Sequence, residues 1–316
     1  MKKLLSVLLC LALFLVACGN NDSNKNDGQD KSSHKQSTTK TFTTENGKKV
    51  DVPKNPKRIV VLHPTLVGAL VKFDHKPVAV PEFVKQNQTL NDATKGIKRI
   101  DNTSVEQIAK EKPNLIVTTS EDKNMKKLEK IAPTVSFNMA KADYKDTTIK
   151  LGDLVGEKKQ AEQWVSNWED QLAKEKKELA PFIKGKSATV IQQTPKGTMA
   201  FSDHMGRGTE IIYNNGYGFK QPDALKKALG KNFAIPVNSE QFNQYLGDII
   251  VIAQNGKQTS EFENTNTWKN LPAVQKDHVI RFNVEDTQYN DPISLEKQHK
   301  IFYKALKKMK DDSSNK

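Results

Sequence analysis

Short apolar runs recur along the chain, and stretches whose apolar residues have helical spacing lie between them. In the first half, strands are predicted at 58–63, 77–80, 114–118 and 134–137, and helices at 64–74, 104–112 and 122–131. Strands that alternate with helices are typical of α/β domains built on a parallel sheet. The first half is therefore predicted to form one α/β lobe.

A second set of such elements fills the other half of the chain. Its strands are predicted at 187–193, 199–201, 248–253 and 278–283, and its helices at 207–215, 222–229, 238–246 and 292–309. The predicted fold class is therefore α/β with two lobes. The N-terminal lobe is assigned to 42–157 and the C-terminal lobe to 181–310.

One long helical stretch, 158–180, separates the two sets. Trp164, Trp168 and Leu172 recur at every fourth position, which puts them on one face of a helix. The stretch contains no glycine or proline, and Pro181 is expected to end it. We interpret it as a helix that connects the lobes. The alternative is one more core helix of the second lobe.

The two lobes share a sequence echo. Each copy opens on an N-cap residue, Ser104 or Asn238, and has a glutamine three positions later, which predicts a capping box. Self-similar units at matching places indicate paired lobes. The two copies are SVEQIAKEKPNLIV, 104–117, and NSEQFNQYLGDIIV, 238–251.

Each copy also has an acid at its second helical position, Glu106 or Glu240. An acid in the first turn interacts favourably with the helix dipole, by a few tenths to about 1 kcal/mol. The dipole accounts for each glutamate separately, but it does not account for their pairing at equivalent sites.

The N-terminus has the features of an export signal. Lys2 and Lys3 precede an apolar run, 4–17, which is too short to span a bilayer as a helix. The stretch LVAC, which ends at Cys18, looks like a bacterial lipobox. We predict a signal peptide over 1–17 and lipid attachment at Cys18. The alternative is an ordinary secretory signal with an incidental cysteine.

Composition sets limits on the rest. The segment 18–41 has almost no apolar residue and is predicted to be a flexible tether, and 311–316 a polar tail. The other cysteine of the chain, Cys10, would leave with the signal, so no disulfide and no thiolate metal site are expected. The net charge of +13 fits an anionic ligand or cell-wall polymer outside the membrane, so no nucleic-acid partner is expected.

A Gly-Arg-Gly stretch, Gly206 to Gly208, is a candidate ligand-binding turn. Glycines on both sides allow close approach of the backbone, and Arg207 offers a planar set of donors that fits paired oxygens. The alternative is a surface turn with a solvated arginine.

Several stretches together give the chain its family resemblance. They are NPKRIVVL (55–62), VEQIAKEKPNLIV (105–117), KIAPTV (130–135), MGRGTEIIY (205–213), TNTWKNL (265–271) and YNDP (289–292). On these residues the whole chain resembles the ferric-siderophore-binding lipoproteins of Gram-positive bacteria, substrate receptors of ABC importers, and among them the ferric-hydroxamate receptors of the FhuD type. The resemblance implies a class III periplasmic-binding-protein-like fold, with one long helix between two lobes and the ligand in the cleft.

The resemblance also implies roles for particular residues. Glu106 and Glu240 would dock on an ABC permease, Arg207 would donate to oxygens around the iron, and Tyr289 would line the cleft. A ferric trihydroxamate already surrounds its iron with six oxygens, so the protein is expected to need no metal ligands, no cofactor and no catalytic residue. We expect a monomer anchored by lipid on the extracellular face of the membrane.

This chain departs from the family pattern at several cleft positions. Met205 replaces the tryptophan of W-G-R-G, and Gln288 and Met199 stand where aromatics are common, as do Met139 and Leu66. The cleft wall is therefore expected to be softer, because methionine is adaptable. Two histidines, His63 and His204, are also predicted to lie near the ligand.

Three alternatives remain open. A carboxylate siderophore would need several cleft cations, for which Arg58 and Arg99 are candidates, and haem would need an axial ligand such as Tyr289. A receptor for bare Mn²⁺ or Zn²⁺ would need converging histidines and carboxylates, but the histidines are dispersed along the chain. A lipid-anchored hydrolase is disfavoured because no common hydrolase motif is found.

Overall fold

The computed structural model describes residues 38–139, 141, 143–213, 216–256 and 259–315. The strands are β1 (Thr39–Thr43), β2 (Lys49–Pro53), β3 (Ile59–Val61), β4 (Ala79–Pro81), β5 (Lys98–Ile100), β6 (Leu115–Thr119), β7 (Thr134–Phe137), β8 (Ala188–Thr194), β9 (Gly197–Phe201), β10 (Ala234–Pro236), β11 (Ile249–Gln254) and β12 (Val279–Asn283). The helices are α1 (Val67–Lys72), α2 (Gln88–Ala93), α3 (Val105–Lys110), α4 (Met125–Leu128), α5 (Tyr144–Val155), α6 (Lys158–Ile183), α7 (Thr209–Ile212), α8 (Asp223–Leu229), α9 (Phe242–Tyr245), α10 (Asn266–Lys269), α11 (Pro272–Gln275) and α12 (Pro292–Ser314).

The N-terminal lobe is built on a parallel sheet. Its five strands have the order β5-β4-β3-β6-β7, and every neighbouring pair is parallel. The central strands are apolar and buried on both faces, as covered parallel sheets require. Because all five strands run the same way, their carboxyl ends lie along one edge, which is where ligands of open α/β sheets bind.

The C-terminal lobe has a mixed sheet, in the order β10-β9-β8-β11-β12. Strands β8, β11 and β12 are parallel, whereas β9 is antiparallel to both of its neighbours. A tight connection between Thr194 and Gly197 forms the β8–β9 hairpin, so this sheet is not fully parallel. The predicted α/β fold with two lobes is confirmed, although short elements such as β5, α2 and β10 had no clear sequence signal.

The predicted connecting helix is α6, and it contributes to both lobes. Ala161 packs in the core of the N-terminal lobe, Trp168 and Leu172 pack in that of the C-terminal lobe, and Trp164 contacts both. The helix does not end at Pro181 as expected, because it continues to Ile183. Burial of the last two residues in the C-terminal core offsets the hydrogen bond that the proline cannot donate.

A second crossing between the lobes is formed by the segment 285–291, here called the bridge segment, and by the start of α12. The backbone amides of Gln88 and Thr89, at the start of α2, donate to the carbonyls of Glu285 and Asp286 at 2.6 and 3.0 Å. These bonds satisfy helix-end donors of one lobe with acceptors of the other. Where α1 meets the end of the bridge segment, a side chain at Gly68 is excluded because its Cβ would lie 1.7 Å from Asp291 Oδ1.

The ends of the folded body differ from the prediction. Residues 39–41, assigned to the tether, belong to β1, which pairs with β2 in a hairpin that buries Phe42 and Val52. The predicted tail is helical as far as Ser314, because α12 continues beyond the buried Met309 and is supported by a Lys308–Asp312 pair. The predicted signal peptide, Cys18 and the tether as far as residue 37 lie outside the described residues. No described helix is long and apolar enough to cross a membrane.

Candidate functional site

The Gly-Arg-Gly stretch is a left-handed turn between β9 and α7. Gly206, Arg207 and Gly208 all have positive φ, at 68°, 57° and 82°. A Cβ at Gly206 would lie 2.5 Å from the carbonyl oxygen of Gln288, and one at Gly208 would lie 1.7 Å from the ring of Phe302. Both glycines are therefore required by conformation and by close packing, which a solvated surface turn would not need.

The side chain of Arg207 is fixed in place by three contacts. Its Nε donates to Gln192 Oε1 at 2.7 Å, its Nη1 donates to the carbonyl of Met205 at 3.1 Å, and the guanidinium lies 4.5 Å from the ring centre of Phe201. In the part of the chain that the structure describes, Nη2 has no hydrogen-bond partner. Burial lowers the pKa of Arg207, while Tyr289 and Glu210 oppose this, and the group stays charged.

Glu210 holds the turn from behind and was not predicted from the sequence. Its carboxylate accepts from the amide of Gly206 at 2.9 Å, from Asn290 Nδ2 at 3.0 Å and from Thr209 Oγ1 at 3.1 Å. The side chain is fully buried, and this burial raises its pKa. The sequence signal was a glutamate beside the apolar residues of TEIIY, because burying a carboxylate is costly unless hydrogen-bond partners are present.

Tyr289 and Gln288 connect this turn to the N-terminal lobe. The amide of Arg207 donates to the carbonyl of Gln288 at 2.8 Å, and Tyr289 packs against the core of the N-terminal lobe. Gln298 Nε2 fixes the segment by donating to the carbonyl of Tyr289 at 2.7 Å. Burial raises the pKa of the Tyr289 phenol, and the charge of Arg207 lowers it in part. The predicted pair Arg207 and Tyr289 therefore lies at the junction of the lobes.

Met199 lies next to the anchor of Arg207. It is directly opposite Gln192 in the β8–β9 hairpin, so the two side chains are on the same face of the sheet. Gln192 itself was missed by sequence reasoning, although a polar residue at the end of an apolar strand was the signal. Met205 is exposed, and its backbone carbonyl, not its side chain, contacts Arg207.

The two histidines have different surroundings. His63 follows β3 at the carboxyl edge of the N-terminal sheet, with its Nδ1 buried and without a hydrogen-bond partner among the described residues. Burial lowers its pKa, and Glu121 acts in the opposite direction. His204 is half exposed, pairs with Asp203 at 2.7 Å and packs edge-on against Phe233. No hydrogen bond within the described residues joins either histidine to Arg207.

Other expected cleft residues belong to the core or to local loops. Leu66 is completely buried in the core of the N-terminal lobe. The side chain of Arg58 donates to the carbonyls of Glu111 and Lys112. Arg99 donates to the carbonyls of Thr94 and Ile97 and to two side chains. Neither arginine is available as a second cleft cation.

Glu106 and Glu240 are both exposed at the second position of a short helix, as the echo predicted. The capping box is complete only in the C-terminal copy. In the N-terminal copy, Ser104 accepts from the amide of Gln107, but the Gln107 side chain accepts from the amide of Asp101.

Both glutamates follow strands that end at the cleft edge of their sheets, β5 and β10. The described ranges contain no metal site, because no three histidines, cysteines or carboxylates in them are grouped so as to hold an ion.

A comparison with known proteins identifies the fold family. Residues 59–283 match the family model described as periplasmic binding protein. The chain belongs to the periplasmic binding protein family. Its members and the relatives below are binding proteins rather than enzymes.

Relatives of this periplasmic binding protein include receptors for iron complexes. The iron(3+)-hydroxamate-binding protein FhuD of Bacillus subtilis (strain 168) is 32% identical over 97% of this chain and 98% of its own. The FhuD protein from S. pseudintermedius is 35% identical, with a TM-score of 0.79 over 85% of this chain and 98% of its own. FhuD2 from Staphylococcus aureus, solved with bound ferrioxamine B, is 34% identical, with a TM-score of 0.76 over 81% of this chain and all of its own.

Proposed function

We propose that the protein binds a ferric hydroxamate siderophore in the cleft at Arg207 and delivers it to an ABC permease for iron uptake. The observation that carries this proposal is the arginine itself. Gln192, Met205 and Phe201 fix the guanidinium, while Nη2 keeps its donors free among the described residues. A donor that is already oriented can bind the oxygens of a caged Fe(III) complex at a small entropic cost.

The cation count favours hydroxamate over carboxylate cargo. A carboxylate siderophore carries several negative charges, whereas Arg58 and Arg99 already donate to backbone carbonyls outside the Arg207 turn. Haem would need Tyr289 as its axial ligand, and burial raises the pKa of this phenol, which disfavours the tyrosinate that would bind the iron. Two of the relatives named above, the iron(3+)-hydroxamate-binding protein FhuD and FhuD2 with bound ferrioxamine B, bind hydroxamates, which supports the same choice.

Delivery would use the two exposed glutamates. Glu106 and Glu240 stand at equivalent positions on the cleft edges of the two lobes, so basic pockets on the two halves of a permease could bind both at once. The Cys18 lipobox supports lipid anchoring on the outer face of the membrane, where a monomer would meet its permease. The iron would enter as cargo inside its siderophore, and the protein would need no cofactor.

A titration of intrinsic fluorescence tests the cargo. Trp164 contacts the cores of both lobes, so a coloured ligand bound between them should quench it. The chain without residues 1–18 would be titrated in parallel with ferrioxamine B, ferrichrome, ferric citrate and haem. Sub-micromolar binding confined to the two hydroxamates is expected. Saturation by ferric citrate, or a Soret shift with haem, would contradict hydroxamate as the cargo.

A further inference from the structure

A basic cavity lies at the end of the C-terminal lobe opposite the cleft. It has a volume of about 320 Å³, and four of its lining residues are lysines, while none is acidic. The lysines are Lys176 and Lys184 from α6 and its C-cap, Lys186, and Lys220 from the loop before α8. Lys186 is half-buried, and the other three are exposed.

Among the residues that the structure describes, these lysines have no carboxylate partners. Within the described residues, none of the four forms an ion pair, although twelve salt bridges elsewhere use lysine or arginine. Only Lys186 has a structural role that is evident, because it donates to the carbonyl of Phe182 at the end of α6. A lysine there also complements the negative end of the helix dipole. Neither explanation covers Lys176 or Lys220, which extend from other points of the rim.

Two glycines in the cavity wall leave the backbone near the lysine ammonium groups without side chains. Gly218 lies under the Lys176 ammonium, since a Cβ at Gly218 would be 2.5 Å from Lys176 Nζ. Gly218 and Gly185 both line the cavity and have positive φ, which leaves the backbone uncovered by side chains. A phosphate-sized anion therefore has room between the ammonium groups.

A second cavity continues the basic surface. Its volume is about 450 Å³, it shares Lys186 with the first, and Lys276 and Lys310 also line it. The two acids on its rim, Asp277 and Asp312, share Lys308 within 4 Å, so the three lining lysines and Lys308 outnumber them. Burial lowers the pKa of His278, and Lys186 and Lys276 act in the same direction, while Asp248 opposes them. Two basic cavities that share a lining lysine fit an extended chain of anions better than one small ion.

The position of these cavities relative to the cleft favours one partner. Lys186 and Lys220 flank the first residues of β8, where the amide of Ala188 donates to the carbonyl of Lys220, whereas Gln192 near the other end holds Arg207. A strand of this length spans about 20 Å. If the cleft edge faces a permease, as proposed above, the basic end faces away from the membrane.

We propose that the six lysines form a binding surface for a phosphodiester polyanion, of the kind that a chain of glycerol phosphate units presents outside the membrane. The lysines are Lys176, Lys184, Lys186, Lys220, Lys276 and Lys310. A chain of single negative charges without bulky side groups complements lysines that are spread over two cavities. The orientation of this surface rests on the proposed function, but its binding chemistry does not.

The test measures binding of poly(glycerol phosphate) to the full-length protein in a nonionic detergent, by calorimetry at 50 to 200 mM salt. The triple variant Lys176→Gln, Lys184→Gln, Lys220→Gln removes three ammonium groups and leaves the Lys186 contact with Phe182. Its matched control is Lys226→Gln, Lys227→Gln, Lys231→Gln, which loses the same charge from exposed lysines around the end of α8. The rescue variant changes the first three lysines to arginine.

The expected result is salt-dependent binding that the triple variant weakens about tenfold, with a salt slope smaller by about 2. The control should change less than twofold, and the arginine variant should bind like the wild type. Absence of binding at 50 mM salt, or equal losses in both glutamine variants, would overturn the proposal. Binding to phosphatidylglycerol vesicles without binding to the polymer would also overturn it. Hydroxamate affinity, measured on the same variants, should stay unchanged. If no sample binds the hydroxamate, the proposed cargo is contradicted and the proposed polyanion surface is not.

Discussion

The backbone amide of Arg207 donates a 2.8 Å hydrogen bond to the carbonyl of Gln288, which joins the left-handed turn of the C-terminal lobe to the bridge segment. The next residue, Tyr289, packs against the N-terminal lobe. The conformation of the arginine turn is thereby tied to the place where the two lobes meet, and the side chain that would bind the ligand cannot move independently of the lobe junction.

Replacement of Arg207 by alanine should weaken hydroxamate binding by about 1.5–3 kcal/mol, because a hydrogen bond to a charged group has that magnitude. Arg207→Lys should recover only part of the loss, since an ammonium group cannot keep the Gln192 contact and donate in the same plane. Fluorescence titration with ferrioxamine B measures both. Arg58→Ala is the control, because the Arg58 side chain donates to the carbonyls of Glu111 and Lys112 and not to the Arg207 turn. Unchanged affinity in Arg207→Ala would remove this residue from the site.

Gly208→Ala should destabilise the fold more than Gly47→Ala does. Both glycines have φ near 80°, so both variants carry the cost of about 1–2 kcal/mol for a left-handed alanine. Only Gly208 has the ring of Phe302 in the way, whereas nothing lies within 4 Å of a Cβ at Gly47. The clash should add about 1–3 kcal/mol. Urea unfolding measures the free energies, and equal losses would show that the ring moves aside freely.

The double variant Glu106→Ala, Glu240→Ala should bind siderophore normally but fail to support uptake of radioactive iron. Both carboxylates are exposed, and within the described residues neither is a hydrogen-bond partner of Arg207, so cargo affinity is expected to stay unchanged. The control is Asp223→Ala, which removes an exposed acid from the first turn of α8. Normal uptake by the double variant would leave the helix dipole as the only role of the two glutamates.

Asp291 should make stability depend on pH. Burial raises its pKa from 3.8 to about 6, so between these values the folded protein binds a proton that the unfolded chain has lost. Its contribution to stability therefore falls as the pH rises through this window, by on the order of 3 kcal/mol in total. Asp291→Asn should abolish this dependence and keep the oxygen that accepts from Ile293 and Ser294. Parallel curves of urea midpoint against pH for the two proteins would contradict the raised pKa.

The elements that sequence predicted best are long or regular. The apolar run of β7 matches its prediction of 134–137, and α6 begins at the predicted Lys158, because period and length alone define such segments. Elements of three residues, such as β5 and β10, were missed, since their apolar residues are too few to show a period. The order of strands, and the antiparallel β9, depend on pairing between distant residues.

By itself, the sequence determined the two-lobed α/β fold, the family and the echo with its paired glutamates, and it predicted Arg207 and Tyr289 as candidate site residues. Local periodicity and motif spacing contain this information. Only the tertiary structure decided that Gln192 and Glu210 fix the arginine, that Leu66 is core, that Arg58 and Arg99 are occupied, and that lysines from α6 and the loop before α8 form one cavity. These facts depend on which residues far apart in the sequence contact each other in the fold. Such contacts decide the burial and the hydrogen-bond partners of each side chain.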